Sequence, residues 1–383
     1  MKGLIVFLAV YISIYGGVHT YAFIKIKRGF TFNTWVGAGI TVFMVLMILA
    51  PILMRIGERN DHNILAAGLA YVGFLWMGFL FLFVSTAFCF DIYRGFLALT
   101  RLITHKYLIA ITPTDGFTCM VSILMACLIT GYGFFEANTI RVENVVMHTT
   151  KLPKNMDPIR IAQISDVHLG LVVGKNRLKR IRDQVQKAKP HILVSTGDLV
   201  DGKMVEPDHL ANMLRSIQTP LGKYAVTGNH EFYAGLKQAL DFTQKAGFML
   251  LRGQAHSLQN GITIAGVDDP TGRFQPLSDA LPEDKLLRNL PDHQFTILLK
   301  HQPVVTTSSL GHFDLQLSGH THKGQIFPFG LLVKLAYKIN HGFTNLTQGS
   351  AVYVSRGTGT WGPPLRFLAP PEVALIQIAR NKS

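Results

Sequence analysis

Residues 159–168 read IRIAQISDVH, a short apolar run that stops at Asp166-Val-His168. Its isoleucine content and length predict a strand over Ile159–Ser165. Downstream, Leu178, Ile181, Val185 and Ala188 recur at helical spacing, with Asn176 as a cap. Further strands are predicted over Ile192–Thr196, Tyr224–Thr227, Phe295–Lys300 and Leu315–Ser318. Helices are predicted over Glu206–Ile217 and Leu236–Ala246, the latter closed by Gly247. Strands alternating with amphipathic helices imply a layered α/β fold.

Chemistry-bearing residues stand where these strands end. In chain order they are Asp166 and His168, Gly197-Asp198, Gly228-Asn229-His230-Glu231, His301, and Gly319-His320-Thr321-His322. Each follows a strand-like run, so all converge on the loops at one edge of a sheet, where open α/β folds bind ligands. Carboxylate, imidazole and amide oxygen together suit Mn, Fe or Zn, and the absence of thiolate argues against a structural zinc site. The two oxygens of Asp198 suit it to bridge two ions about 3.5–4 Å apart. His191, His209, His256, His293, His312 and His341 are read as structural or surface histidines. Asp201, Asp268 and Asp269 are read as turn residues.

The series D-x-H, GD, GNHE, H and GHxH resembles the calcineurin-like metallophosphoesterase superfamily in order and spacing, over about residues 158–380. The resemblance implies a four-layer α-β-β-α sandwich. It implies that Asp166, His168 and His322 hold one metal ion, that Asn229, His301 and His320 hold a second, and that Asp198 bridges them. His230 is then the histidine beside the leaving group, and Asp198 and His230 are the catalytic residues. The reaction implied is direct hydrolysis by a hydroxide bridging two divalent ions (Mn, Zn or Fe). GDLVDG, GHTHKGQ and RGTGTWGPPLRFLAPPEVALI are similar to a membrane-associated subgroup. That subgroup includes transmembrane proteins with a metallophosphoesterase domain and proteins similar to UDP-2,3-diacylglucosamine hydrolases. Gly202 stands where phosphoprotein phosphatases carry arginine, which counts against a protein-phosphatase role. Lys323 stands where the subgroup often has glycine, placing a cation near the substrate phosphate.

The first third of the chain has a different character. Charged residues are 16% of the whole, against about 25% in ordinary soluble proteins. Four apolar stretches, Leu4–Ile24, Trp35–Met54, Ile64–Phe90 and Phe117–Phe135, are each long enough to span roughly 30 Å of hydrocarbon. They predict an all-α membrane domain over residues 1–140, a connector over 141–158 and a hydrolase domain over 159–380. Lys2 alone charges the start and no small-x-small site precedes Lys25, so the first helix is read as uncleaved. The three cysteines, Cys89, Cys119 and Cys127, lie in apolar stretches and read as small hydrophobes. Lys25, Lys27, Arg28, Arg94, Arg101 and Lys106 fall in loops on one side of the bilayer, and Lys2, Arg55 and Arg59 on the other. Counting short loops places the first set in the cytoplasm and the hydrolase domain outside. Adding Arg141, Lys151 and Lys154 ties the count.

The net charge of +14 suits anionic lipid surfaces or phosphorylated substrates. No basic helix with interleaved aromatics is present, which counts against nucleic acid. The reading is a membrane-bound phosphoesterase acting on a diester, pyrophosphate or monoester of a lipid or envelope precursor. The alternative is a non-catalytic receptor that binds phosphorylated ligands. The apolar stretch Ile326–Tyr337 is read either as a buried helix or as an apolar lip for acyl chains or the bilayer.

Overall fold

The computed structural model describes residues 2–105, 109–154, 156–274 and 280–381. The chain forms two compact units, Met1–Phe135 with Gly362–Leu365, and Glu136–Trp361 with Arg366–Ser383. Lys106, counted above among the loop charges, lies outside the described residues.

The first unit contains α1 (Lys2–Gly29), α2 (Thr34–Arg59), α3 (Asn63–Thr104) and α4 (Asp115–Asn138), the last running on into the second unit. The helical stretches Thr34–Arg59, Asn63–Thr104 and Ile109–Asn138 are long and apolar enough to cross a membrane. Small residues let α2 and α3 approach closely: a methyl group on Gly73 would lie 3.0 Å from Cβ of Ala50, and one on Gly57 would lie 3.3 Å from Cβ of Ala66. The third helix does not end at Phe90 as its sequence suggests. It continues through Asp91 to Thr104, 42 residues in all and about 63 Å long. The charges that end the apolar stretch are paired, so nothing breaks the helix: Asp91 accepts from Lys25 and Tyr21, and Arg94 from α3 reaches Asp115 at 2.5 Å.

The second unit is built on two six-stranded sheets. The strands are β1 (Arg141–Thr149), β2 (Ile159–Ile164), β3 (Ile192–Thr196), β4 (Lys223–Val226), β5 (Met249–Leu250), β6 (Gln254–Ser257), β7 (Ile262–Gly266), β8 (Phe295–Leu299), β9 (Leu315–Ser318), β10 (Gly342–Asn345), β11 (Ala351–Val354) and β12 (Glu372–Arg380). One sheet runs β1-β12-β2-β3-β4-β5 and the other β10-β11-β9-β8-β7-β6. Strands β2, β3, β4 and β5 are mutually parallel, as are β7, β8, β9 and β11. The helices are α5 (Lys175–Ala188), α6 (Pro207–Arg215), α7 (Asn229–Ala234), α8 (Leu236–Lys245), α9 (Glu283–Arg288) and α10 (Phe329–Ala336).

Alternation along each strand sorts the core into separate clusters. Ala162 and Ile164 of β2 join Leu193, with Leu178, Ile181 and Val185 of α5, Leu214 of α6 and Phe242 of α8. Ile159 and Ile161 face the other way, into a cluster with Val194, Ile264, Ile297, Leu299, Leu315 and Leu317, drawn from both sheets. Leu286 and Leu287 of α9 pack with Ala265, Leu298 and Phe313 of the second sheet.

Three local expectations change. Residues 141–149, read as connector, form β1, which pairs in parallel with β12 and turns Val145 and Met147 toward the core. The α5 cap is Gly174 rather than Asn176, which sits in the first helical turn. The apolar stretch after the GHTH motif is not a buried helix: α10 buries none of its residues, and Leu335 is 83% exposed.

Leu317 is fully buried between the sheets, whereas Val146 is 55% exposed on the edge strand β1. Leu317→Ala should therefore destabilise this unit by about 2–5 kcal/mol. Val146→Ala should change it by less than about 0.5 kcal/mol. Thermal melts of the two variants in detergent check the difference, and equal melting temperatures would refute the two-sheet core.

Candidate metal centre

All the motif residues sit just beyond the carboxyl ends of parallel strands. Asp166 and His168 follow β2, Asp198 follows β3, and Asn229 and His230 follow β4 at the start of α7. From the other sheet, His301 follows β8, and His320 and His322 follow β9. Buried Gln163 ties the sheets beside the site, donating to Thr196 Oγ1 and to the Ser318 carbonyl, each at 2.9 Å.

Asp166, His168, Asp198, His320 and His322 all adopt positive φ, between 49° and 71°. Each such non-glycine residue carries a strain of about 1–3 kcal/mol that its surroundings must over-determine. Here the Asp166 N–H donates to Gly197 O at 3.1 Å and the His168 N–H to Asp198 O at 2.9 Å. The His320 N–H donates to the Asp166 carboxylate at 3.0 Å. Gly319 is glycine because a Cβ there would overlap Ser165 Oγ and the Asp166 carboxylate.

The side chains meet in three overlapping groups: Asp166, His168 and His322; His168, Asp198 and His230; and Asp198, His301 and His320. Within each group one ligand-type atom per residue lies within 4.8 Å of the others. His322 Nε2 is 3.3 Å from Asp166 Oδ1 and 3.1 Å from His168 Nε2. Asp198 Oδ2 is 3.8 Å from His168 Nε2 and 3.2 Å from His301 Nε2, so it lies between the two sides. His301 Nε2 is in turn 3.2 Å from His320 Nδ1. Asn229 Oδ1 is buried and has no hydrogen-bond partner among the described residues. A buried amide oxygen without a donor is unfavourable by about 1–3 kcal/mol unless something else engages it. Oxygen and imidazole atoms gathered this closely, with an orphaned amide oxygen on the residue next to His230, fit divalent cations. None of the six histidines read as structural joins such a group among the described residues.

Charge in the site is organised by burial. Burial, reinforced by the Arg366 guanidinium, pushes the His322 imidazole well below its ordinary pKa, and burial with His301 lowers His320. Both imidazoles are therefore neutral at pH 7. Asp198 draws positive charge to its position: burial opposes it, yet the carboxylate raises His301 to about 10 and is itself held far below the carboxylate range. Beyond these residues, His301 Nδ1 lies 2.8 Å from the Thr196 carbonyl, which accepts its N–H. His320 Nε2 lies 2.9 Å from the Tyr337 hydroxyl.

Several participants were not singled out from the sequence. Asp201, read as a turn residue, has its Oδ1 2.5 Å from His230 Nδ1. Burial would lower the His230 pKa, but Asp201 and Asp198 together raise it. Asp269 accepts from Gln302, beside Tyr337, while Asp268 is a structural partner of Arg252. Fully buried Arg366 donates to the carbonyls of Arg356, Gly359, His322 and Ala369. The fourth residue of GNHE, Glu231, accepts four backbone N–H groups, those of Gly228 (2.7 Å), Asp198 (3.0 Å), Leu199 (2.7 Å) and Val200 (3.1 Å). Burial and Asp198 push its pKa up, and the N–H groups of Val200 and Gly228 counter them in part. The cue for Asp201 was its spacing of three from Asp198; Arg366 lies inside the segment RGTGTWGPPLRFLAPPEVALI, but no local pattern there sets it apart.

Comparison with known proteins follows this geometry. The family profile described as calcineurin-like phosphoesterase matches residues 159–324. A protein of Aquifex aeolicus named uncharacterized metallophosphoesterase is 43% identical over 255 residues, covering 66% of this chain and 97% of that one. A similarly named protein of Campylobacter jejuni is 28% identical over 99% of each chain. A Danio rerio transmembrane protein with metallophosphoesterase domain is 29% identical, covering 67% of this chain and 62% of that one.

Glu231→Gln should destabilise the second unit by about 2–4 kcal/mol, because an amide NH2 would replace one acceptor facing two N–H donors. Melting the variant in detergent reads this directly, and an unchanged melting temperature would mean that the four bonds hold nothing in place.

Proposed function

This chain belongs to the calcineurin-like metallophosphoesterase family, a class of phosphoric ester hydrolases, and from that premise we propose that it is a membrane-bound enzyme that hydrolyses a phosphate ester of a lipid or lipid-linked precursor. The observation that carries the reading is the convergence of strand ends from two sheets on one set of carboxylate and imidazole atoms, beside a buried Asn229 Oδ1 without a partner among the described residues.

Asp166, His168 and His322 would hold one divalent ion, Asn229, His301 and His320 a second, and Asp198 both. Two such ions supply Lewis acidity toward phosphate oxygens and an acidified water. The protein's own groups do the rest. Asp201 accepts the proton of His230 Nδ1, which turns the opposite nitrogen, Nε2, outward as a donor. That N–H would protonate the leaving oxygen, or stabilise its charge, as the ester bond breaks. The neutral state of His320 and His322 keeps their nitrogens available as ligands.

Lipid specificity is supported by α10. Phe327, Phe329, Leu331, Leu332 and Leu335 are 44–83% exposed on the hydrolase unit itself. Tyr337, which caps this helix, bonds His320, so the apolar surface adjoins the site. Acyl chains on this surface would gain about 0.8 kcal/mol per buried methylene.

Two measurements test these roles. His230→Asn should lower kcat by roughly 10²–10⁴-fold, while elemental analysis still finds close to two divalent ions per chain; loss of metal would make His230 a ligand. Asp201→Asn removes one of the charges that raise the His230 pKa, so its acid form is lost at lower pH. The alkaline limb of kcat should shift toward acid, and an unmoved limb would detach Asp201 from the proton donor. For substrate, a long-chain phospholipid in mixed micelles should show a much higher kcat/KM than its short-chain analogue. Replacing Phe327, Phe329 and Leu332 with serine should remove that preference and spare a small aryl diester; equal efficiency on both chain lengths would refute the lipid assignment.

A further inference from the structure

A chain of hydrogen bonds runs from His320 away from the site. The imidazole Nδ1 lies 3.2 Å from His301 Nε2, and its Nε2 lies 2.9 Å from the Tyr337 hydroxyl. That hydroxyl is 3.5 Å from Gln302 Oε1, the longest link, and Gln302 Nε2 donates to Asp269 Oδ2 at 2.8 Å. Asp269 is 1% exposed, and its other oxygen accepts from the Thr271 N–H at 2.9 Å.

The direction of each link follows from the far end. A carboxylate only accepts, so the Gln302 amide nitrogen faces Asp269 and the amide oxygen faces Tyr337. The phenol donates to that oxygen, which leaves its own lone pairs for His320. The phenol is also placed by the loop that carries His320. In that loop, a Cβ on Gly324 would overlap Gly330 of α10, and the Thr321 hydroxyl donates to the Asn340 carbonyl at 2.6 Å. Tyr337 ends α10 between these two contacts, its N–H donating to the Val333 carbonyl at 2.8 Å.

We propose that Tyr337 is a positioning residue of the metal centre: held by Gln302 and Asp269, its hydroxyl accepts the His320 Nε2–H and so keeps Nδ1 bare for the ion assigned to Asn229, His301 and His320. The proposal rests on that ligand assignment and adds the residues that set the ion's affinity. A neutral imidazole carries one N–H, and the partner of one nitrogen decides which tautomer is present. Without the hydroxyl, Nε2–H has lost its acceptor and the other tautomer, protonated at Nδ1, competes with the cation. Partners of this kind account for about 10- to 100-fold in metal affinity.

The test equilibrates the metal-free full chain in detergent with graded Mn²⁺ and reads bound metal by elemental analysis and electron paramagnetic resonance. Tyr337→Phe should raise the half-saturation concentration of one ion by about 10- to 100-fold and leave that of the other unchanged. The spectrum should then show a single Mn²⁺ at concentrations where the unaltered chain holds a coupled pair. The weakened ion should be the one that His320→Ala loses. Gln302→Met should weaken the same ion, with no further loss in the Tyr337→Phe background, because both changes act through one hydroxyl. Without metal, Tyr337→Phe should melt at the same temperature as the unaltered chain; a lower value with both ions weakened alike would make the role merely structural and overturn the proposal. Should Tyr337→Phe fail to fold, Gln302→Met decides alone. Two ions in the unaltered chain with affinities that neither variant moves would overturn the positioning role and leave the ligand assignment standing. Fewer than two ions in the unaltered chain would overturn the assignment itself, and the role with it.

Discussion

One buried carboxylate holds the rest of the site in register. Glu231 receives four backbone N–H groups, three from the loop after β3 and one from the turn before α7. The first loop carries Asp198 and Asp201, and the helix start carries Asn229 and His230. A carboxylate presents about four lone-pair positions on two oxygens and no proton, so it alone among side chains can satisfy this many converging donors. Charge-assisted bonds are also roughly twice as strong as neutral ones, which matters where positive-φ residues pull against regular backbone.

Fixing the loops allows charge to be concentrated. Asp166 and Asp198 are almost fully buried, and their surroundings are imidazoles rather than lysines or arginines that would neutralise them permanently. The one guanidinium close to the ligand groups, that of Arg366, is spent on backbone carbonyls and faces His322 Nδ1. Its charge helps keep the His322 imidazole neutral. The net effect is two buried carboxylates whose immediate neighbours are imidazoles. Asp201 works at the margin of the same field and helps hold the His230 pKa up.

Apolar surface is distributed with equal economy. In the helical unit two pairs of charges are matched between helices, Lys25 with Asp91 and Arg94 with Asp115, as expected where water is scarce. In the hydrolase unit, apolar side chains fill the core clusters and leave one helix, α10, without any buried residue. An exposed apolar helix is unfavourable in water unless something covers it, which is why it weighs in the choice of a lipid substrate.

The chain order alone carried a good deal. Strand-ending motifs singled out Asp166, His168, Asp198, Asn229, His230, His301, His320 and His322 together, because each follows a strand-like run in chain order. The layered α/β character and the apolar helices were legible for a related reason: period and length are local properties of a sequence. Partners brought together by folding were not legible. Asp201 looked like any aspartate in a turn until β3 and α7 placed it 2.5 Å from His230. Arg366 lies 44 residues beyond His322, and no local pattern signals that its guanidinium will be buried among four carbonyls. Asp91 and Arg94 ended an apolar run in sequence, yet pairing across the helices let α3 continue for another turn and more. The apolar residues of α10 matched a buried helix and an exposed one equally well. Hydrophobicity is a property of the residue, but burial depends on which neighbours the fold delivers, and that choice is made by contacts distant along the chain.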